Sequence, residues 1–363
     1  MNKLYFRYLA SLYLKNCLIF IIAFVGFYLF IDLLINYKKL HINTNIFLLY
    51  ILYTMLTAFY YILPIALILA SIFTKISLIK KNEFIAFYSL GLSKNASVIP
   101  TLFISLIITF FAISLNYTNI AYAENYKSNI LKYGYLSKEQ MDLFFKYQDD
   151  CIYIKSYDKA KMHDIKIMKT QNNEISKIIT AKTASFINNN WVLEDANITE
   201  FKLGNSFDDT YIINQKLDQE IILKDFKPEI LDNLGTDDSS LKDAFFYLNN
   251  FESNKNIARA SIYKQSIFLL YAPFFALIIF YNIPIMPRYN DLNIIALSYI
   301  CLSLLVYGVL FLLLRFASNG AINPEIAILL PISIIIVYSL MKFNKNKWLL
   351  RRKNGLFKTC KWY

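Results

Sequence analysis

The sequence predicts an α-helical membrane protein, six transmembrane helices with one inserted antiparallel β domain, jelly-roll-like in kind. Three observations carry this prediction. Six long apolar runs punctuate the chain, a stretch of about 140 polar residues separates the third from the fourth, and Lys and Arg gather on one side of the implied membrane. A bilayer-crossing helix needs roughly 20 mostly apolar residues. The runs at 16–37, 46–73, 98–120, 265–283, 292–314 and 322–341 meet that length. The expected organisation is helices one to three within 1–122, a β domain over 123–260, and helices four to six with a basic tail over 261–363.

The net charge of +12 suggests nucleic acid only until it is divided along the chain. Of 38 Lys/Arg and 26 Asp/Glu, the insert holds 18 and 22, leaving 20 and 4 to the membrane part. The positive charge therefore belongs to the lipid boundary, and no nucleic-acid partner is expected. Lys and Arg favour cytoplasmic loops. Lys3, Arg7 and Lys15 precede the first run, Lys75, Lys80, Lys81 and Lys94 are read between the second and third, and Arg288 between the fourth and fifth. Eight more follow the sixth, from Lys342 to Lys361. Both termini are thus expected in the cytoplasm and the insert outside it. The first run is too long for a signal-peptide core, so no cleaved leader is expected. The aromatic, basic tail is read as lying on anionic headgroups.

Within the insert, Cys151-Ile152-Tyr153-Ile154, Ile165-Lys166-Ile167-Met168, Ile175-Ser176-Lys177-Ile178 and Tyr211-Ile212-Ile213 alternate with period two, the mark of half-buried strands. Asn-rich breaks at 171–173 and 188–190 separate them, and the spacing suggests a sandwich or jelly-roll. Helices are expected from Ala123 to Lys132 and, capped by Asp238-Ser239-Ser240, through Leu248. Cys151 is the one cysteine of the insert, which excludes an internal disulfide there. No cysteine pair has metal-ligand spacing, and His41 and His163 are the only histidines, so no metal site is expected. No catalytic constellation stands out, and a membrane enzyme is the least favoured class.

None of the eight glycines forms the Gly-x4-Gly-Lys-Ser/Thr loop that cradles nucleotide phosphates. An ATP-driven transporter built on this chain would need a separate ATPase docked on the cytoplasmic face, and no cofactor of its own. The stretch 82–91 suits that docking. Asn82 is expected to cap a helix starting at Glu83, Gly91 to end it, and Phe84, Phe87, Tyr88 and Leu90 to form one apolar face. The alternative is a helix resting on lipid headgroups. Ionisable residues in spans cost roughly 2.5–3.5 kcal/mol at mid-bilayer on insertion scales. Here they fall near outer ends: Asp32, Lys264 and Arg315, with Lys38 and Lys39 beyond. An ion-coupled transporter places such groups near the midplane. A cationic rim over an apolar interior instead suits a phosphorylated amphiphile, because Arg and Lys both bind phosphate. Snorkelling of individual side chains is the competing explanation.

The run Leu63-Pro64-Ile65-Ala66-Leu67-Ile68-Leu69-Ala70, followed by Asn82-Glu83-Phe84-Ile85-Ala86-Phe87 and Gly91-Leu92-Ser93, resembles the second span and coupling helix of the lipopolysaccharide-export permease family, LptF and LptG. Tyr263-Lys264 with Pro273 resembles the opening of that family's fourth span. Phe30-Ile31-Asp32 with Lys38-Lys39 is similar to the end of span one in LptG, and Ser318-Asn319-Gly320 is similar to LptF; LptG is favoured. The resemblance covers nearly the whole chain. It implies a subunit of an ABC transporter in the bacterial inner membrane, paired with the sibling permease over an LptB-like ATPase dimer that hydrolyses the ATP. Lipopolysaccharide would enter from the outer leaflet, its acyl chains against Phe27, Phe30 and Phe311 and its phosphates near Lys38, Lys39 and Arg315. An LptC-like periplasmic bridge would receive it from the β domain, and Glu83 would be the acidic residue meeting the ATPase. The rival classes are a stand-alone secondary transporter or lipid flippase, and a structural anchor presenting a docking domain.

Overall fold

A computed structural model describes residues 2–40, 43–134, 140–147, 150–158, 161–171, 174–187, 190–202, 211–222, 240–250, 255–284 and 291–359. Six helical segments are long and apolar enough to cross a membrane: Leu4–Lys39, Thr44–Lys80, Lys94–Leu115, Lys255–Asn282, Leu292–Ser318 and Glu325–Lys345. By element, these are α1 (Asn2–Asn36), α2 (Thr44–Lys80), α4 (Lys94–Leu115), α7 (Lys255–Gln265) running into α8 (Ile267–Asn282), α9 (Leu292–Ser318), and α10 (Leu330–Thr359) with the π turn Glu325–Leu329 before it. The short α3 (Glu83–Ser89) lies between α2 and α4. The chain divides into two compact units, one of 1–38, 51–120 and 260–363, the other of 39–50 and 121–259.

In the helical unit, α2 and α7–α8 form the interior. About 78% of the apolar window of α2 is buried and 72% of that of α7–α8, against 6% for α1 and 17% for α9. Their small and branched residues explain this. Ala66, Leu67, Ile68 and Ala70 of α2 and Leu269, Ala272, Ala276 and Ile279 of α8 are buried, and alanines let backbones approach closely. Side-chain hydrogen bonds fasten α1 to α2: Asn16 Nδ2 donates to Thr74 Oγ1 at 2.8 Å and Tyr13 OH to Leu67 O at 3.1 Å. Helix α2 continues past the expected end of its span to Lys80, so Lys75 lies inside a helix and is 1% exposed. It does not belong to a solvated loop.

The other unit holds α5 (Ala123–Tyr133), six strands and α6 (Leu241–Asn250). The strands are β1 (Gln140–Tyr147), β2 (Asp150–Asp158), β3 (Lys161–Gln171), β4 (Glu174–Ile187), β5 (Asn190–Lys202) and β6 (Tyr211–Ile222). They pair in the order β1-β2-β3-β4-β5-β6, every pair antiparallel. The jelly-roll-like insert is therefore, in the described residues, a single six-stranded meander without a Greek-key crossover. Residues 172–173 and 188–189 of the expected breaks lie outside the described residues, as does Arg288. Ser240 caps α6, its Oγ accepting from Asp243 N at 3.2 Å; residues 238 and 239 lie outside the description.

A single meander still encloses a core, because the sheet is creased. Along a flat strand, successive side chains face opposite sides. Here two consecutive residues fail to be buried in each of four strands: Lys155-Ser156, His163-Asp164, Lys182-Thr183 and Glu194-Asp195. The flanking pairs Ile154/Tyr157, Met162/Ile165, Ala181/Ala184 and Leu193/Ala196 are all buried. The register sets these positions opposite one another across the sheet. Asp142, Asp164 and Asp195, on alternate strands, have φ of 54°, 50° and 54°. L-residues enter this left-handed region at a cost of roughly 1–2 kcal/mol, which Asp and Asn bear best because their side chains hydrogen-bond locally. The aligned left-handed residues turn the strands together. The apolar residues of both halves join one core cluster, where Trp191 packs on Phe186 and Tyr157 at ring separations of 5.2 and 6.2 Å.

Candidate functional site

Two groups of side chains in the helical unit carry the functional argument, one around Lys264 and one around α3. Lys264 is the penultimate residue of α7, beside the Ser266 break that separates α7 from α8. Its side chain is directed inward: the residue is 8% exposed, and Nζ lies 5.8 Å from the centroid of the Tyr61 ring. An ammonium withdrawn from water gains from the negative face of an aromatic ring. The neighbouring Tyr60 OH donates to Lys264 O at 2.8 Å. Tyr61 meets Phe311 edge-on at 6.0 Å, and the Arg315 guanidinium lies 5.5 Å from the centre of Phe311. Tyr307 stacks on Phe311 at 6.1 Å, donates to Tyr61 O at 3.1 Å, and approaches Phe268 at 6.1 Å.

Three of the expected cargo-binding residues, Lys264 and Arg315 of the cationic rim and Phe311 of the apolar wall, are thus brought together by an aromatic cluster from α2, α8 and α9. Arg315 is exposed, with its guanidinium carbon 5.5 Å from the centre of the Phe311 ring. Lys264 departs from the expectation of a solvated rim residue. It is buried with its ammonium over the Tyr61 ring, which in turn meets Phe311. The cluster residues Tyr60, Tyr61, Phe268 and Tyr307 were not singled out in the sequence. In apolar spans rich in aromatics, nothing in their spacing separates them from their neighbours.

The remaining expected cargo-binding residues lie along α1 and the short 3-10 turn Tyr37–Lys39 that follows it. Phe27 and Phe30 are 63% and 60% exposed, with no ring contact among the described residues. Asp32 is half-buried, and its carbonyl accepts from Asn36 Nδ2 at 3.1 Å. Lys38 and Lys39 are exposed. The C-terminal half of α1 therefore presents an exposed apolar face, followed by two cations.

Around α3, the expected helix forms, but its start differs. Asn82 has φ 58° and makes no side-chain cap; it ends the turn leaving α2, its N–H bonded to Ile79 O at 3.0 Å. A short amide side chain tolerates that conformation, so here it serves the end of one helix rather than the start of the next. Gly91, with φ 82°, closes α3 as expected: its N–H bonds Tyr88 O and the following Leu92 N–H bonds Phe87 O, both at 3.0 Å. Phe84 is completely buried, its ring meeting Phe280 of α8 edge-on at 5.8 Å and stacking on Tyr88 at 6.0 Å. Phe84, Phe87 and Tyr88 are therefore packed onto the protein's own helices. The face left open carries Ile85, Ala86, Ser89 and Leu90, with Leu90 63% exposed. Glu83 is half-buried, and its Oε2 accepts from Tyr8 OH at 2.8 Å.

The family described as lipopolysaccharide export system permease LptF/LptG matches residues 7–345. No curated protein matches the chain significantly.

Proposed function

The chain belongs to the LptF/LptG family of lipopolysaccharide export permeases, and from that premise we propose that it is the LptG-type subunit of an ATP-driven extractor of lipopolysaccharide. As a permease it is a membrane transport subunit, and the match over 7–345 is the observation that carries the proposal. An LptB-like ATPase dimer docks beneath α3 and supplies the ATP hydrolysis. A sibling LptF-type permease completes the membrane part, and an LptC-like bridge receives the lipid from the β unit. The bias of basic residues supports cytoplasmic termini and a periplasmic β unit.

Lipopolysaccharide enters from the outer leaflet. The uncovered face of α1, with Phe27 and Phe30, offers its acyl chains an apolar wall. Lys38, Lys39 and Arg315 offer cations to its phosphates, Arg315 lying over the Phe311 ring and exposed. LptG rather than LptF is favoured by the likeness of the sequence Phe30-Ile31-Asp32, followed by Lys38-Lys39, to the end of span one in LptG. Mild extraction of the native complex, followed by identification of every co-purifying chain and of bound glycolipid, tests the proposal. A nucleotide-binding subunit, a related six-span protein and lipopolysaccharide are expected. A solitary polypeptide without glycolipid overturns it.

A further inference from the structure

The C-terminal turn of α8 is gripped by lysines from three other helices. Lys75 of α2 donates to Phe280 O and, at 2.6 Å, to Ile283 O, with its Nζ 4.7 Å from the Phe280 ring centroid. Lys94 of α4 donates to Tyr281 O at 3.2 Å and lies 5.5 Å from that ring. Lys342 of α10 donates to Asn282 Oδ1. Tyr281 OH donates to Asn95 Oδ1 at 2.7 Å, and Asn95 Nδ2 to Phe343 O at 3.1 Å.

A helix end leaves its last carbonyls without partners and carries partial negative charge, so cations there are favourable. Capping alone needs nothing as costly as Lys75. A buried ammonium inside a span carries a heavy desolvation cost, and the usual glycine cap avoids it. No carboxylate is bonded to Lys75 or Lys94 among the described residues. Neutral carbonyls and rings hold both cations. Such a contact can slide or break without stranding a buried counter-charge.

Its position in the fold gives the contact a use. Lys75 stands eight residues before Glu83, two turns from the start of α3. Phe280, which Lys75 grips, is also the residue that Phe84 of α3 packs against. At its other end α8 begins beside Lys264 and carries Phe268, which meets Tyr307 of the cationic aromatic cluster. About 24 Å separates the two ends of α8 at the helical rise per residue. Helix α2 is thus joined twice to the α7–α8 span, by Lys75 to the end of α8 and by Tyr60 and Tyr61 to Lys264 at the end of α7. Each carries a proline between its two joints, Pro64 and Pro273. A proline removes a helical hydrogen bond and is a usual site of bending.

We infer that Lys75 is a positioning residue that transmits movement of α3 through α8 to the Lys264–Tyr61–Phe311–Arg315 cluster. This rests on the proposed function, since it requires an ATPase acting on α3. The test reconstitutes the whole complex in proteoliposomes and measures ATP turnover and lipopolysaccharide release in parallel. Lys75→Met keeps the side-chain length and removes the charge. In the assembled complex it is expected to lower lipopolysaccharide released per ATP at least tenfold while ATP turnover falls less than twofold. An unchanged ratio overturns the inference. Should Lys75→Met fail to assemble, Phe280→Leu, which removes the ring shared by Lys75 and Phe84, is expected to lower the ratio about threefold, and a wild-type ratio overturns the inference equally. A wild-type complex that couples no ATP to lipid release would instead bring down the proposed function.

Discussion

Asp195 offers the cleanest test of the creased sheet, because no side-chain hydrogen bond or ion pair of it exists among the described residues. Only its backbone, at φ 54°, is at issue. Replacing it by valine puts a β-branched residue where L-residues already cost roughly 1–2 kcal/mol. Asp195→Gly meets no such penalty. Asn197→Val, two residues along and exposed, controls for the added apolar surface, and valine is at home in an ordinary strand. Trp191, buried in the same strand, reports on the unfolding of this unit once Trp348 and Trp362 have been changed to Phe. With urea slopes of about 1–3 kcal/mol/M for domains of this size, Asp195→Val should lower the fluorescence midpoint by about 0.5–1 M. Asp195→Gly and Asn197→Val should stay within about 0.3 M of the parent. Equal midpoints for the valine and glycine variants at 195 would remove the left-handed row as the cause of the crease.

Asp243 is 7% exposed, its Oδ2 has no hydrogen-bond partner among the described residues, and burial pushes its carboxyl up to about 6. A folded value above the unfolded one means that the folded state binds the proton more tightly, so stability gained by protonation should appear as pH falls from about 6 to about 4. The gain is at most about 3 kcal/mol, and Asp243→Asn should flatten the profile of Trp191 unfolding against pH. Glu83→Ala and Leu90→Asp should each reduce ATPase co-purification, Leu90→Asp more, because Leu90 lies on the open face of α3; full recovery with both variants would move the dock elsewhere. Charge reversal at Lys38 and Lys39 should at least halve lipopolysaccharide crosslinking to the outer half of α1, whereas wild-type yield would assign both lysines to ordinary solvation at the membrane edge.

Hydropathy made the spans legible because each backbone polar group in lipid must be satisfied internally, and long apolar helices are the direct outcome. The strands were legible wherever their alternation kept one phase, as at Ile152/Ile154 and Ile165/Ile167. The crease was not. A step of three from Met162 to Ile165, or from Leu193 to Ala196, reads as lost periodicity, and an aspartate reads as a turn. Helix α3 is legible through its spacing and Gly91, yet Asn82 reads as an N-cap because asparagine serves both that role and the left-handed turn. Phe84 looked like part of a docking face. Spacing reports that residues share a face, while what covers the face depends on Phe280, nearly two hundred residues away. Lys75 was read as one more cytoplasmic charge, since composition cannot tell a solvated lysine from one bonded to distant carbonyls.

The distribution of burial argues for where force passes through the helical unit. A chain that moves an amphiphile must keep some helices open to lipid or cargo while others stay packed against one another. The spans that stay packed are α2 and α7–α8; α1 and α9 are the most open. Coupling energy travels through elements that are rigid and in contact, so α1 is a poor conduit despite carrying Phe27, Phe30, Lys38 and Lys39. Helix α2 is the better one, running unbroken from Tyr60 and Tyr61, which touch Lys264, to Lys75, which grips α8, and then turning directly into α3. The residues proposed to meet cargo and those proposed to carry movement are therefore different sets, on differently buried helices. Mutations on α1 should accordingly change how much lipid is captured, while mutations at Lys75 or Phe280 change how much is moved for each ATP consumed.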